Sequence, residues 1–343
     1  MTQDSPSPQD LRVGNGVSSA SSTTFSSTAP FPTSETTYTT TTSDMTTASV
    51  SKIVSQPRSL AEVCAALRAK LLAFLALQSD DETVQGTQRR ARDAMEVIEE
   101  ALGRYRPQEI SLSYNGGKDC LVLLILILAC WPAKVQPKET LPRLQCIYIA
   151  PPDPFQQVED FVATTTEEYH LDLARYALPM RQALDVYLDE KPHVKAVFMG
   201  TRRTDPHSEF LTSFTPTDKG WPQFMRINPV LDWHYVEIWT VSFVLSLHKQ
   251  NTLPPKTPQT SRQIRRKWRQ AGTLLADTKK KQFIRQLDIP FCSLYSQGFS
   301  SLGGTKDTRP NPALALDGPE GNKFRPAYEL TRDDEERLGR DRK

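Results

Sequence analysis

Strands and helices alternate along one stretch of this chain, Ile110 to Gly200, and that alternation restricts the fold more than any other feature. Ile110 to Tyr114 reads as a short strand and Asp119 to Cys130 as a buried helix. Leu144 to Ala150 (LQCIYIA) reads as a second strand, followed by a helix over Phe155 to Tyr169 with Phe155, Val158 and Val162 on one face. A weaker strand over Leu171 to Leu178, a helix over Met180 to Leu188 and a strand over Val194 to Gly200 (VKAVFMG) complete the series. A helix between successive strands provides a crossover, so the strands are predicted to run parallel with right-handed connections. The expected class is α/β: a mostly parallel, twisted sheet with helices on both faces. The densest apolar run, Leu121 to Cys130, is shorter than the about 20 residues a bilayer span needs and reads as a core helix.

The flanks are of other kinds. Residues 1–55 are dominated by Ser and Thr and poor in apolar side chains. Such a segment buries too little surface to offset its ordering entropy, so a disordered tail is expected there, passive or phosphorylated. Ser59-Leu-Ala-Glu62 matches a capping box, and Leu60, Val63, Cys64, Leu67, Leu71, Phe74 and Leu75 follow at helical spacing. A second helix is predicted over Gly86 to Leu102, with Ala91, Met95 and Ile98 on one face. Residues 56–343 are expected to form a single domain, with 56–105 as N-terminal helices. After Thr201 the chain is Pro-rich and reads as irregular, apart from one helix over about Tyr235 to His248.

Residues 249–283, with RQIRRKWRQ and TKKKQ, read as a basic insertion. RNA or an anionic membrane is one reading of that stretch, and a solvated loop is the other. The formal net charge of +2 points to no polyanionic partner, so neither nucleic acid nor membrane is expected to bind. The five cysteines are scattered without a CxxC, which argues against a disulfide framework or a zinc site. The N-terminus lacks an apolar signal core, and Arg12 is the only basic residue before Lys52, so a cytoplasmic location is expected.

Ser113-Tyr-Asn-Gly-Gly-Lys-Asp-Cys120 sits where a strand turns into a helix. Gly116 and Gly117 permit positive φ and close approach of a phosphate, and a helix N-terminus supplies N–H donors and a favourable dipole. In open parallel sheets, ligands bind at the carboxyl ends of the strands, where this loop lies. A carboxylate there, Asp119, would repel phosphates unless a divalent cation bridged them, and Mg²⁺ is the usual ion. Lys118 either reaches a phosphate or lies on a solvated face. A second loop, Gly200-Thr-Arg-Arg-Thr-Asp-Pro206, follows another strand. Its Arg202 and Arg203 offer forked donors for phosphate or carboxylate. Asp232 reads as a helix cap. His207 and His234 pair with no nucleophile.

SYNGGKDC followed by a long apolar helix resembles the phosphate loop of eukaryotic, fungal-type FAD synthases, or FMN adenylyltransferases. These lie in the PAPS-reductase-like branch of the ATP-pyrophosphatase superfamily. Further segments resemble the family in the same order: GTRRTDP; Pro216-Thr-Asp218 with Trp221-Pro and Phe224-Met-Arg226; Asn228 to Trp233 with Ile238-Trp239; and Ile289 to Leu314, through Ser301-Leu-Gly-Gly-Thr305. The likeness runs from about residue 90 to 343. It implies an adenine nucleotide alpha hydrolase-like sheet with an irregular C-terminal flavin-site region. It also implies a reaction in which FMN and ATP give FAD and pyrophosphate.

By the same resemblance, Ser113, Asn115, Gly116, Gly117 and Asp119 serve the ATP phosphates and Mg²⁺, with Asp119 near the metal directly or through water. Arg202 and Arg203 line the flavin and nucleotide site, Asp205 is functionally important, and Asp218 and Arg226 line the flavin pocket. Trp221 and Phe224 are either flavin-stacking or core. The ending Glu336-Arg-Leu-Gly-Arg340 carries two arginines, Arg337 and Arg340, that assist substrate binding or turnover. The implied partners are FMN and ATP, with client apoflavoproteins as recipients of FAD, and a monomer is expected.

Three rivals remain at this point. A PAPS reductase-type enzyme needs a nucleophilic cysteine, yet the last one, Cys292, lies inside IPFCSLY and not in the tail. A non-catalytic flavin-binding protein would be expected to carry a damaged phosphate loop, and NGGKDC is intact. An RNA-binding protein would depend on residues 250–283.

Overall fold

A computed structural model describes residues 58–131, 141–239, 290–316 and 323–341. The Ser/Thr-rich segment 1–55, the basic insertion 249–283 and the later part of the helix expected after Tyr235 lie outside them.

The sheet has six strands in the order β3-β2-β1-β4-β6-β5. They are β1 (Ile110–Ser113), β2 (Gln145–Ile149), β3 (Asp172–Tyr176), β4 (Ala196–Phe198), β5 (Phe214–Pro216) and β6 (Met225–Ile227). Every pairing is parallel except β5 with β6. The register aligns Leu112 with Cys146 on one side and Phe198 on the other, so buried apolar side chains run straight across the centre.

Five α-helices lie wholly within the described residues: α1 (Leu60–Leu75), α2 (Glu82–Arg104), α3 (Lys118–Cys130), α4 (Gln156–Glu168) and α5 (Met180–Glu190). The capping box on α1 forms as the sequence predicts, with Ser59 and Glu62 each accepting the other's backbone N–H. α2 begins earlier than expected, because Asp81 accepts the Thr83 and Val84 N–H groups and caps it ahead of Gly86. α3 is apolar all round and buried from Leu121 to Cys130, as a helix must be when it lies between a sheet and a further helical layer. That layer is α1 and α2, whose Leu67, Leu71 and Ile98 belong to the same core as Ile110 and Phe198. α1 and α2 are therefore an integral part of the main core. A smaller cluster of Ile147, Tyr187, Val194, Val197 and Phe224 brings α5 against the sheet.

The expectation of irregular chain after Thr201 needs correcting. β6 extends the parallel sheet beside β4, and β5 adds an antiparallel edge strand. Each has only three residues with mixed polarity, too short for a period to show. Residues 235–239 are helical, as expected. A ring cluster anchors the C-terminal region: Trp239 meets Tyr235, Phe291, Tyr295 and Tyr328 edge-on, with centroids 5.2–6.2 Å apart. Edge-to-face packing of this kind suits the ring quadrupoles.

Candidate active site

The connections reverse direction between β1 and β4, so the loops that follow those two strands border a topological switch point. The loop after β1 is Tyr114–Gly117 and the loop after β4 begins at Gly200. Their approach is close: a Cβ on Gly200 would lie 2.9 Å from Cys120 Sγ and 3.0 Å from the Cys120 nitrogen. Gly116 takes φ +70°, and a Cβ there would lie 2.9 Å from Val162 Cγ2.

Part of the donor set at the start of α3 is already engaged. Asn115 Oδ1 accepts the Gly117 N–H at 2.9 Å, and the buried Tyr295 hydroxyl accepts the Lys118 N–H at 2.8 Å. The expected free donors at the helix N-terminus are thus partly taken within the protein. Ser113 ends β1 at the base of this loop.

Lys118 is neither on a solvated face nor open to a phosphate. Its side chain is 4% exposed, with Nζ 3.0 Å from Asp119 Oδ2 and bonded to Glu336 Oε1. Arg202, 1% exposed, places Nε 2.8 Å from Asp119 Oδ1 and NH1 3.5 Å from Asp333, and its NH2 bonds Glu336 Oε2. The Nε–H does not point along the line to Asp119, so that contact is charge against charge without a directed hydrogen bond. Burial opposes the charge on Lys118, but Asp119 and Glu336 outweigh it and the ammonium titrates above its ordinary range. Burial likewise opposes the Asp119 carboxylate, and Lys118 and Arg202 outweigh that and hold it below its usual value. Lys118, Asp119 and Arg202 are therefore charged at neutral pH.

Arg202, expected to line the ligand site, turns its guanidinium to three carboxylates inside the protein. Arg203 is also committed, with Nε 2.5 Å from Asp232 Oδ1 and NH1 bonding the Glu209 and Leu211 carbonyls. Asp232 therefore pairs with Arg203 and does not cap a helix. Asp333 does the capping, accepting the Tyr235 N–H at 2.6 Å.

Asp205 Oδ2 accepts the Arg202 N–H at 2.9 Å, and Arg337 NH1 lies 3.5 Å from Asp205 Oδ1. Arg340 NH1 donates to the Leu302 carbonyl at 2.6 Å, beside the Gly303 turn, and NH2 stands 3.5 Å from Asp307. The C-terminal segment thus folds onto the loops after β1 and β4. Asp218 and Arg226 form a separate pair at the β5–β6 edge, 3.2 Å apart. The structure does not join that pair by contact to the Asp119 cluster. Arg226 Nε is buried without a hydrogen-bond partner among the described residues. Phe224 is core, whereas Trp221 is 39% exposed.

Two clefts border these groups. One, of about 630 Å³, is lined by Asn115, Ile149, Pro151, Phe155, Val158, Leu178 and Gly303, among others. It has apolar walls and the phosphate loop at one end, and its size is typical of ligand sites. The Gly-rich turn closes it: Gly304 bridges Pro154, and the Thr305 N–H bonds the Asp153 carbonyl at 2.8 Å. The second, of about 640 Å³, is lined by Pro206, Asp307, Asp334, Arg337, Leu338, Arg340 and Asp341.

The residues do not suit a resident metal ion. Among the described residues no three His, Cys, Asp or Glu side chains come together to hold one, and Asp119 already lies between two cations. Of the two expected placements of Mg²⁺ near Asp119, direct or through water, the ion pairs favour the second, because a third cation in contact would meet like charge on both sides. Cys292 is buried, its thiol pushed up by burial, so it is no exposed nucleophile of the reductase kind. No described helix is long and apolar enough to cross a membrane.

Sequence reasoning missed Glu336 and Asp333. The clue was four consecutive acids beside the two tail arginines, a pattern that reads as solvent-facing.

A family model described as a phosphoadenosine phosphosulfate reductase domain matches residues 109–183 and 175–248. The probable FAD synthase of Schizosaccharomyces pombe is 36% identical over 261 residues, covering 76% of this chain and 82% of that protein. Candida glabrata FMN adenylyltransferase in complex with FMN and the ATP analog AMPCPP superposes with a TM-score of 0.65 at 26% identity, covering 83% of this chain and 98% of that one. Its complex with FAD and inorganic pyrophosphate gives 0.66, again at 26% identity, over 84% and 99% of the two chains. With the phosphate loop and the Arg-rich loop meeting at the switch point of such a sheet, the chain belongs to the FAD synthase family.

Proposed function

We infer that this chain is an FMN adenylyltransferase, joining the AMP part of ATP to FMN and releasing pyrophosphate. The observation that carries the reading is the junction of the loops after β1 and β4, where Asp119 and Arg202 stand 2.8 Å apart at the switch point of the matching fold. An FMN phosphate oxygen attacks the α-phosphorus of ATP, the bond to the bridging oxygen breaks, and pyrophosphate leaves with that electron pair. The FMN phosphate is ionised at neutral pH, so no general base is needed. Positioning and charge neutralisation supply the acceleration.

The apolar cleft beside Asn115 suits the adenosine part, with Ser113, Asn115, Gly116 and Gly117 beneath the phosphates. Mg²⁺ enters as the companion of ATP's phosphates and belongs to the substrate. Asp119, held ionised by Lys118 and Arg202, fixes the electrostatics of the loop. The spare Nε donor of Arg226 beside Asp218 supports their assignment to the flavin, and Trp221 is exposed enough to meet its ring. Arg337 on Asp205 and Arg340 on the Gly303 turn put cationic side chains at the second cleft, where a phosphate would be neutralised. Arg203 supports this loop through Asp232. We take residues 56–343 as the single catalytic domain, acting as a monomer in the cytoplasm.

The test is to incubate purified protein with FMN, ATP and Mg²⁺ and quantify FAD and pyrophosphate, with Asp205→Ala alongside. Equal amounts of both products from wild type are expected, with turnover lower by roughly 10²-fold in the variant, the usual effect of losing one preorganised group. FMN binding without FAD under varied metal and pH would leave a flavin-binding protein instead.

A further inference from the structure

Glu336 belongs to a run of charged residues, Asp333 to Arg337, and is the one member of it that the structure buries. Its side chain is 7% exposed and each oxygen has its own cation: Oε1 takes Lys118 Nζ and Oε2 takes Arg202 NH2. The backbone beneath is fixed as well. The Glu336 carbonyl accepts Ser300 Oγ at 2.6 Å, and Asn311 Nδ2 donates to the preceding carbonyl at 2.7 Å. The two cations come from different segments: Lys118 opens α3 just past the loop after β1, and Arg202 lies in the loop after β4. The next residue, Arg337, reaches Asp205, whose other oxygen holds the Arg202 N–H. Contacts therefore run from Asp119 through Lys118 to Glu336, on to Arg202 and Asp205, and back to Arg337.

We propose that Glu336 is a positioning residue for adenylyl transfer: by bridging Lys118 and Arg202 it sets Asp119 at the phosphate loop and Arg337 at Asp205. The proposal rests on the FMN adenylyltransferase reading. Glu336 is too deeply buried to touch substrate, so it acts through the groups it holds. Lys118 and Arg202 both also lean on Asp119. Without the Glu336 charge they converge on that one carboxylate, and the loop carrying it shifts with them. A buried pair that loses one member leaves its partner's charge uncompensated. Glu336 is thus the link through which the nucleotide loop and the Asp205 loop keep a common geometry.

The experiment uses Glu336→Gln and Glu336→Asp in the full chain beside wild type. kcat and the KM values for ATP and FMN are measured well below each variant's Tm, so that the folded fraction is complete. Glu336→Gln, isosteric but neutral, is expected to lower kcat by roughly tenfold or more, about 1.4 kcal/mol in barrier, with a smaller change in either KM. Glu336→Asp keeps the charge but is too short to span both cations, and is expected to recover kcat in part. Wild-type kcat and KM in Glu336→Gln, with only Tm lowered, would show a purely structural role and overturn the proposal. If Glu336→Gln gives no cooperative melt, Glu336→Asp decides: reduced kcat upholds the proposal, and wild-type kcat overturns it. No FAD from wild type would sink the activity assignment and this proposal with it, whereas equal FAD turnover from all three chains sinks only the role of Glu336.

Discussion

Gly116 is held at φ +70°, where a side chain costs about 1–2 kcal/mol from the left-handed backbone alone. The Cβ of Gly116→Ala would also press on Val162 Cγ2. That variant should therefore melt earlier and show a raised KM for ATP with little change in KM for FMN, measured by thermal unfolding and steady-state kinetics. The thiols make a second expectation. Burial first, then the nearby Asp119 charge, pushes Cys120 up to about 12, and burial raises Cys64 and Cys130 to about 12 as well. A thiol-selective reagent at pH 8 should leave native enzyme active, and rapid inactivation by it would contradict this. At this scale the sequence singled out candidates whose type and local spacing suggest a chemistry, such as Asn115, Asp119 and Arg337. It hid Glu336, whose partner Lys118 lies 218 residues away, because periodicity carries no record of long-range charge pairing. It hid the carboxylate partners of Arg202 for the same reason.

Among the elements, the legible ones were those with a period. α1 was readable through its capping box, and α3 through its unbroken apolar run. β5 and β6 were not, because three residues of mixed polarity give no pattern and their place depends on β4. Strand edges also carry a measurable charge link. Glu109, just ahead of β1, bonds Arg106 within its own turn and Lys195 just ahead of β4 at 2.6 Å. The hydrogen bond from Arg106, followed by that from Lys195, lowers its carboxyl to about 2 from an ordinary 4.5. A depressed carboxyl adds stability that is whole above pH 4.5 and lost as the pH falls to 2. Wild type should therefore be more stable than Glu109→Gln at pH 7, and urea titrations should show the gap closing between pH 4.5 and 2. A gap that persisted at pH 2 would count against this link. In the core, Leu124→Ala on α3 should cost about 2–5 kcal/mol in the same titration, as large-to-small changes at fully buried sites do.

For the molecule as a whole, the α/β plan was legible, and the helices α1 and α2 proved to share its core. Trp239 and Phe291 flank the stretch that contains the basic insertion, and their rings lie 5.7 Å apart. Deleting 250–283 should leave FAD formation within about twofold of wild type, since none of the residues assigned to the substrates lies in it. Loss of turnover with an unchanged Tm would give the insertion a catalytic part. The bridge made by Glu336 has a consequence for biosynthesis. The ribosome delivers Lys118 and Arg202 well before the carboxylate that joins them, 218 and 134 residues earlier. At about 5–20 residues per second, the nascent phosphate loop waits roughly 10–40 s for its counter-charge. Until residue 336 clears the exit tunnel, the growing chain holds a sheet and a loop but not the ion bridge between them, so adenylyl transfer should switch on only once that residue has emerged and not by degrees.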